Sequence, residues 1–341
     1  MSRAKALQYY ILARLALAPL MLWTIVTLVF LILRATPGDP ADAILGNRAP
    51  EAAKAALREQ LGLSDPLALQ YLRYLGNLLR LDLGTSLTSQ GRPVWDVVWQ
   101  HFPATLELTL FAMAVASVIG LGVGTLAAAR QGTIFDVGGR LFGIVTYSLP
   151  LFWLGMILQL LFAVWLGWFP LGRRYPANAG LPIEITGLYS LDGLLSANFG
   201  QVAIALHHLI LPAFTLGLLQ SGVFERIVRV NLKQTLVADY VEAARARGIP
   251  ERRILFVHAL KNAMIPVITV LGLTIAGLLG GAVLTEVTFS WPGLGMQLYQ
   301  AIELRDYPTV QGILVFFGVI VVTVSIAIDI VNAYIDPRIR Y

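Results

Sequence analysis

Six stretches of this chain stay apolar for about twenty residues each, and no other feature constrains the fold as much. They run near Ile11–Leu33, Thr105–Ala129, Leu141–Leu166, Val202–Phe224, Ala263–Leu284 and Val310–Ile328. A helix of about 20 mostly apolar residues crosses the roughly 30 Å hydrocarbon core of a bilayer. Inside that core every backbone N–H and C=O must be satisfied within the structure, which a helix achieves alone. Composition agrees: 57% of the 341 residues are hydrophobic and 13% are charged, against roughly 25% charged in a soluble domain. So little polar surface cannot solvate a globule of this size. The pattern predicts an all-α integral membrane protein of about six transmembrane helices and excludes a soluble enzyme.

The first stretch is longer than the roughly 7–15-residue apolar core of a cleaved signal. It therefore reads as a retained span, although Ala41-Asp42-Ala43 offers a small-x-small site. With the N-terminus inside, fifteen of the 25 Lys and Arg residues lie on the cytoplasmic side, eight of them from Arg226 to Lys261. Seven of the others lie between Arg34 and Arg92, a segment too long to weigh in the positive-inside bias. The shorter external loops carry only Arg173, Arg174 and Arg305. Both termini are thus predicted to be cytoplasmic. The net charge of +5 fits anionic headgroups and this topology, so membrane lipid rather than nucleic acid is the expected partner of the basic residues.

Residues 1–104 read as the first span plus an external segment, and 105–341 as a core of five spans. In the external segment Leu67, Tyr71, Leu72, Leu75, Leu78 and Leu79 recur at helical spacing with Gln70, Arg73, Asn77 and Arg80 opposite. That is an amphipathic helix, expected to lie on the membrane or on the spans. Small residues at every fourth position, Ala116-Gly120-Gly124 and Gly277-Gly281, predict close helix contacts. Pro150 and Pro212 are candidate breaks in the third and fourth spans. Few ionisable residues fall inside the spans: Glu107 near the outer start of the second and Asp329 near the inner end of the sixth, both within reach of water.

Much chemistry is missing. The chain has no cysteine and no Gly-Lys pair, so thiolate sites and a P-loop are excluded. His207 and His208 are adjacent, point about 100° apart on a helix, and suit an interface better than a shared metal. No cluster of midplane charges accompanies the prolines, as an ion-coupled carrier would require.

The loop after the fourth span, at about 235–262, is more informative. Asp239-Tyr240-Val241-Glu242-Ala243-Ala244-Arg245-Ala246-Arg247 is strongly helix-forming. Gly248 can end that helix in the left-handed conformation, and Pro250 follows as a restart. A second helix is expected from Pro250 through Lys261. The first is a short knob suited to a socket on another protein.

Glu242-Ala243-Ala244-x-x-x-Gly248 resembles the EAA loop of binding-protein-dependent ABC importer permeases. Leu260-Lys261 departs from the generic Leu-Pro ending, but His258-Ala259-Leu260-Lys261-Asn262-Ala263-Met264-Ile265-Pro266 is similar to the variant in the dipeptide/oligopeptide permease family. Other stretches resemble that family in the same order. They are Pro37-Gly38-Asp39-Pro40, Asp82-Leu83-Gly84-Thr85-Ser86, Leu149-Pro150-Leu151-Phe152-Trp153-Leu154-Gly155 and His208-Leu209-Ile210-Leu211-Pro212. Ser290-Trp291-Pro292-Gly293-Leu294-Gly295, Arg305-Asp306-Tyr307-Pro308 and Asp336-Pro337-Arg338-Ile339-Arg340 complete the set. Where Ala243-Ala244 stands, the family typically has Thr-Ala or similar.

The resemblance implies a type I ABC importer permease in the bacterial inner membrane. Its partners would be a second related permease, two ATP-binding cassette ATPase subunits and an external solute-binding protein. The ATP and Mg would sit on the ATPases, with no cofactor on this chain. Asp239, Tyr240, Glu242, Ala243, Ala244, Arg247 and Gly248 would form the ATPase-coupling loop. Peptides lead among the cargoes the family carries, with nickel complexes, glutathione and some sugars as alternatives. An ion-coupled secondary carrier and a membrane-embedded enzyme are the readings from other classes.

Overall fold

The apolar stretches all become helix, and no β-sheet forms among the described residues of the computed structural model, which are 3–35, 40–46, 49–60, 62–89, 91–180, 182–280 and 282–335. The N-terminal helix α1 covers Arg3–Ala35. Three external helices follow: α2 Pro40–Leu45, α3 Glu51–Gln60 and α4 Leu67–Leu79. Then come α5 Val94–Ala129, α6 Ile134–Ser148, α7 Leu151–Trp165, α8 Tyr189–Leu195 and α9 Phe199–Leu236. The C-terminal part holds α10 Asp239–Ala246, α11 Glu251–Leu279, α12 Val283–Thr288, α13 Leu294–Glu303 and α14 Tyr307–Ile335. Five helices, α1, α5, α9, α11 and α14, are long and apolar enough to cross a bilayer, and α6 with α7 makes a sixth if counted as one span.

That sixth span is not straight. The pattern predicts one helix over Leu141–Leu166, but α6 and α7 meet at 101°. Pro150 cannot donate a backbone bond, and it forces Leu149 out of the helical region, to ψ 131°. Pro212, the other candidate break, lies inside the continuous helix α9. Neighbouring helices re-satisfy a freed carbonyl well enough for transmembrane helices to tolerate proline.

Several spans outrun their apolar stretches. The second starts at Val94 rather than Thr105, so the division at 104/105 falls within one helix. The fourth continues to Leu236, well past Phe224. The fifth ends at Leu279, and Val283-Leu284 already belong to α12.

The core is the pairing of α5 with α9. Glycines let these backbones approach: a Cβ on Gly120 would lie 2.5 Å from that of Phe224, and one on Gly217 would lie 2.5 Å from the Ala112 carbonyl oxygen. Leu108, Ala112, Ala116, Leu209, Phe224 and Val228 are buried around this contact. Ala116-Gly120-Gly124 is therefore an internal packing stripe. Gly281, its counterpart with Gly277, lies outside the described residues. By contrast, Leu12, Leu15, Leu20, Trp23, Leu28 and Leu31 of α1 are exposed, a surface that lipid, not water, accommodates.

The amphipathic helix settles on a span. The Tyr71 and Thr27 hydroxyls are 2.6 Å apart, Arg34 Nε donates to Gln70 Oε1 at 2.8 Å, and Phe30 stacks on Tyr74. Gln70, on the polar face by periodicity, thus ties α4 to α1. Asp329 of α14 is 3.1 Å from Arg14 of α1.

Candidate functional site

Helix α10 ends as its sequence dictates. Gly248 adopts φ +74°. Its N–H donates to the Arg245 carbonyl at 2.9 Å, and the Ile249 N–H donates to the Ala244 carbonyl at 3.2 Å. This pair of bonds is the Schellman closure, which turns the chain sharply and satisfies two carbonyls that the helix end would leave open. Pro250 then opens α11.

One face of α10 holds it to the bundle. Val241 and Ala244 are buried with Ala128 at the end of α5, Leu232 of α9, and Ile254, Ala259 and Ala263 of α11. Two polar ties fix its angle. Arg245 Nε donates to Glu251 Oε1 at 2.6 Å and its Nη1 to the Leu236 carbonyl at 3.2 Å, while Asn262 donates to the Tyr240 hydroxyl at 3.0 Å. The opposite face and its rim are exposed: Asp239, Tyr240, Glu242, Ala243, Arg247 and Gly248. A cavity of about 1150 Å³ opens beside the start of α10, lined by Asn231, Thr235, Tyr240, Asn262 and Pro266 among others.

Six of the seven residues predicted for this surface therefore share an outward face or its rim. Ala244 does not; it points into the chain, because one in every three or four positions of a short packed helix must face its support. The second helix also differs from expectation. Residues from Glu251 onward form no separate element but run through a π-helical turn at Ile254–Ala259 into the fifth span. Any tilt of α10 is thus coupled directly to a membrane-crossing helix. Arg245 and Glu251, the strut that sets the angle, are opposite charges six residues apart across a turn, a pairing invisible to helical periodicity.

Two family models together match most of the sequence. The family model described as the binding-protein-dependent transport system inner membrane component covers residues 120–341. The model of its N-terminal part covers residues 7–109. The chain belongs to this family of inner membrane transport components. A dipeptide transport system permease protein of Alkalihalophilus pseudofirmus is 41% identical over 98% of this chain and 100% of the relative. A di/tripeptide permease of Pseudomonas aeruginosa is 43% identical over 97% and 98%, and an oligopeptide permease of Bacillus subtilis 36% identical over 97% and 99%. The chain is a multi-pass inner membrane permease component rather than a catalytic subunit.

In this inner membrane component the other motif segments gather at the far end of the bundle from α10, where they build scaffold. Asp306 accepts from the Ser86 hydroxyl at 2.6 Å, the Thr88 hydroxyl at 2.9 Å and the Leu87 and Thr88 N–H groups, while its other oxygen caps α14 through the Thr309 N–H. It joins the 82–86 motif to the 305–308 motif. The 290–295 motif is anchored by the Trp291 indole N–H on the Ala104 carbonyl at 2.8 Å. Nearby, buried Glu286 accepts from the Thr105 hydroxyl at 2.6 Å and the Met296 N–H at 2.9 Å. His208 and His207 bond the carbonyls of Arg173 and Trp168 at 3.0 and 2.7 Å. Pro37-Gly38-Asp39 and Asp336–Arg340 lie outside the described residues.

The charges in and beside the spans depart from expectation. Glu107 does not reach water: it is buried, and Arg174 donates to one oxygen at 3.0 and 2.6 Å while Ser190 serves the other through its N–H and hydroxyl. Glu225 and Glu286, placed just beyond spans by the apolar pattern, are both fully buried. A cluster of Asp136, Lys233, Glu225 and Arg229 joins α6 to α9.

Proposed function

We propose that this chain is one of two pore-forming permeases of an ATP-driven importer of di- or oligopeptides. The carrying observation is α10. An eight-residue helix is pinned by a buried face, a strut and a left-handed glycine, yet presents an unmatched polar face beyond the bundle. A rigid, exposed knob continuous with a span is what a chain lacking its own nucleotide site needs to receive force from an ATPase. The excess of Lys and Arg around this loop supports placing it, and both termini, in the cytoplasm. Asp239, Tyr240, Glu242, Ala243, Arg247 and Gly248 then contact the ATPase, and Ala244 supports them from behind. Near full-length kinship to permeases named for dipeptides, di/tripeptides and oligopeptides supports the cargo class. The complete assembly has a second related permease, two ATPase subunits carrying ATP and Mg, and an external solute-binding protein.

Reconstitution tests this reading. The chain alone in proteoliposomes should neither hydrolyse ATP nor accumulate labelled dipeptide. Adding the sister permease, ATPases and binding protein should produce both activities. Uptake by the lone chain, driven by an ion gradient, would refute it.

A further inference from the structure

A second cavity, of about 540 Å³, opens between α6 and α9 and takes no part in the coupling surface. Ile144, Tyr147, Val223 and Ile227 give it an apolar wall, and Arg140, Arg226 and Arg229 bring three guanidinium groups to it. Arg229 is fixed there: its Nε donates to Glu225 Oε1 at 2.6 Å. Glu225 itself occupies space that only a glycine leaves, since a Cβ on Gly143 would lie 2.7 Å from its Oε2.

One carboxylate against three guanidinium groups leaves the wall two positive charges in excess. Neither remaining arginine has a carboxylate to itself, since Arg140 shares Asp136 with Lys233 through a long ion pair. Arg140 comes no nearer than 3.9 Å to Asp136, whose two oxygens both already accept from Lys233 at 2.9 Å. Arg226 is exposed and has no ion pair among the described residues.

Depth identifies what these charges meet. Arg226 lies eighteen residues beyond His208 on the continuous helix α9, a rise of about 27 Å. That nearly equals the roughly 30 Å hydrocarbon thickness, and His208 is bonded to loop carbonyls at the far end. Arg226 therefore sits at headgroup level in the leaflet on the α10 side, and the exposed Ile144 and Tyr147 lie deeper, beside acyl chains. A zwitterionic solute is disfavoured, because Glu225 offers no free anion: Arg229 occupies one oxygen and the other is sealed from solvent.

We infer that this cavity binds an anionic phospholipid, with its phosphate between Arg140 and Arg226 and its first acyl segment along Ile144, Tyr147, Val223 and Ile227. Guanidinium groups suit phosphate oxygens by geometry as well as charge. The site is independent of the transported cargo.

The delipidated full chain, titrated in detergent with phosphatidylglycerol, phosphatidylcholine or inorganic phosphate and followed by native mass spectrometry, tests this. Phosphatidylglycerol should bind more tightly than phosphatidylcholine, and Arg140→Gln with Arg226→Gln should weaken it about fivefold for each guanidinium lost. Phosphatidylcholine, whose choline offsets its phosphate charge, should lose less, so the preference between the two lipids should shrink. Ile144→Trp, which fills the groove and leaves the charges alone, should also weaken phosphatidylglycerol, so the proposal does not depend on the arginine variants folding. Equal affinity for the two lipids, or no effect of either variant, overturns the proposal. So does displacement by inorganic phosphate at the lipid's own concentration, which marks a small-anion site. Loss of the preference on adding a second permease subunit assigns the face to protein and also overturns it.

Discussion

Gly248 sits at φ +74° with nothing within 4 Å of where a Cβ would project. The cost of replacing it is therefore conformational, about 1 kcal/mol for alanine and more for a β-branched residue. With Pro250 opposing a longer helix, the strain should appear as a re-aimed α10. The chain lacks cysteine, so paired labels at Ala246→Cys and Ile134→Cys report this directly. Gly248→Val should broaden or shift their distance distribution, and an unchanged distribution would contradict the account. Glu286 offers a second prediction at this scale. It lies between the last two spans, and burial pushes its carboxyl up to about 7, although the Thr105 hydroxyl and the Met296 and Gly295 N–H groups favour the charged form. A folded value above the unfolded one means stability is fully present below the unfolded value and is lost as pH rises through about 7. Detergent melting temperature should fall between about pH 5 and about pH 8, and Glu286→Gln should flatten that dependence. A Gln variant as pH-sensitive as the wild type would sink the assignment. Gly248 was legible in the sequence because glycine and a following proline are local signals. Glu286 was not, because Thr105 lies far away in the chain.

Among the helices, the apolar runs revealed the existence of each span but not its ends. Helix α9 extends where polar residues find partners, such as Lys233 with Asp136, and α5 extends where Val94 and Val98 pack against α13 and α14; neither pairing has a local signature. The bend between α6 and α7 was announced only as a candidate at Pro150, since the same residue type leaves α9 unbroken at Pro212. Asp306 shows how loops are secured between elements. It caps α14 and holds the 86–88 segment with four hydrogen bonds, each to a charged group worth about 1.5–3 kcal/mol. Asp306→Ala should free that segment without unfolding the spans. Hydrogen exchange at Leu87 and Thr88 should then accelerate by at least about tenfold while α5 and α9 stay protected. Uniform acceleration throughout the bundle would show that the loop is not a separable unit.

For the molecule as a whole, two ends with different chemistry are joined by one long helix. The end of the bundle at the α9 start holds the buried pair Glu107 and Arg174, and the other end of α9 leads into the knob. Labelling tests which end faces the cytoplasm. Asn178→Cys should react with an impermeant thiol reagent in intact cells, and Ala246→Cys only after the inner face is opened; the reverse pattern would invert the topology. The proposed coupling surface was legible as a helix, a stop and a charged face, but the buried side of α10 was not, because it rests on the ends of three separate helices, α5, α9 and α11, whose meeting has no local signature. The central claim is that this face transmits force from an ATPase. The most direct measurement is the amount of ATPase subunit that co-purifies with the permease, normalised to permease abundance in the membrane. Glu242→Ala and Gly248→Val should keep near-normal abundance and lose most of the bound ATPase. If both variants recover as much ATPase as the wild type and retain full ATP-driven uptake, α10 is only a connector and the account fails.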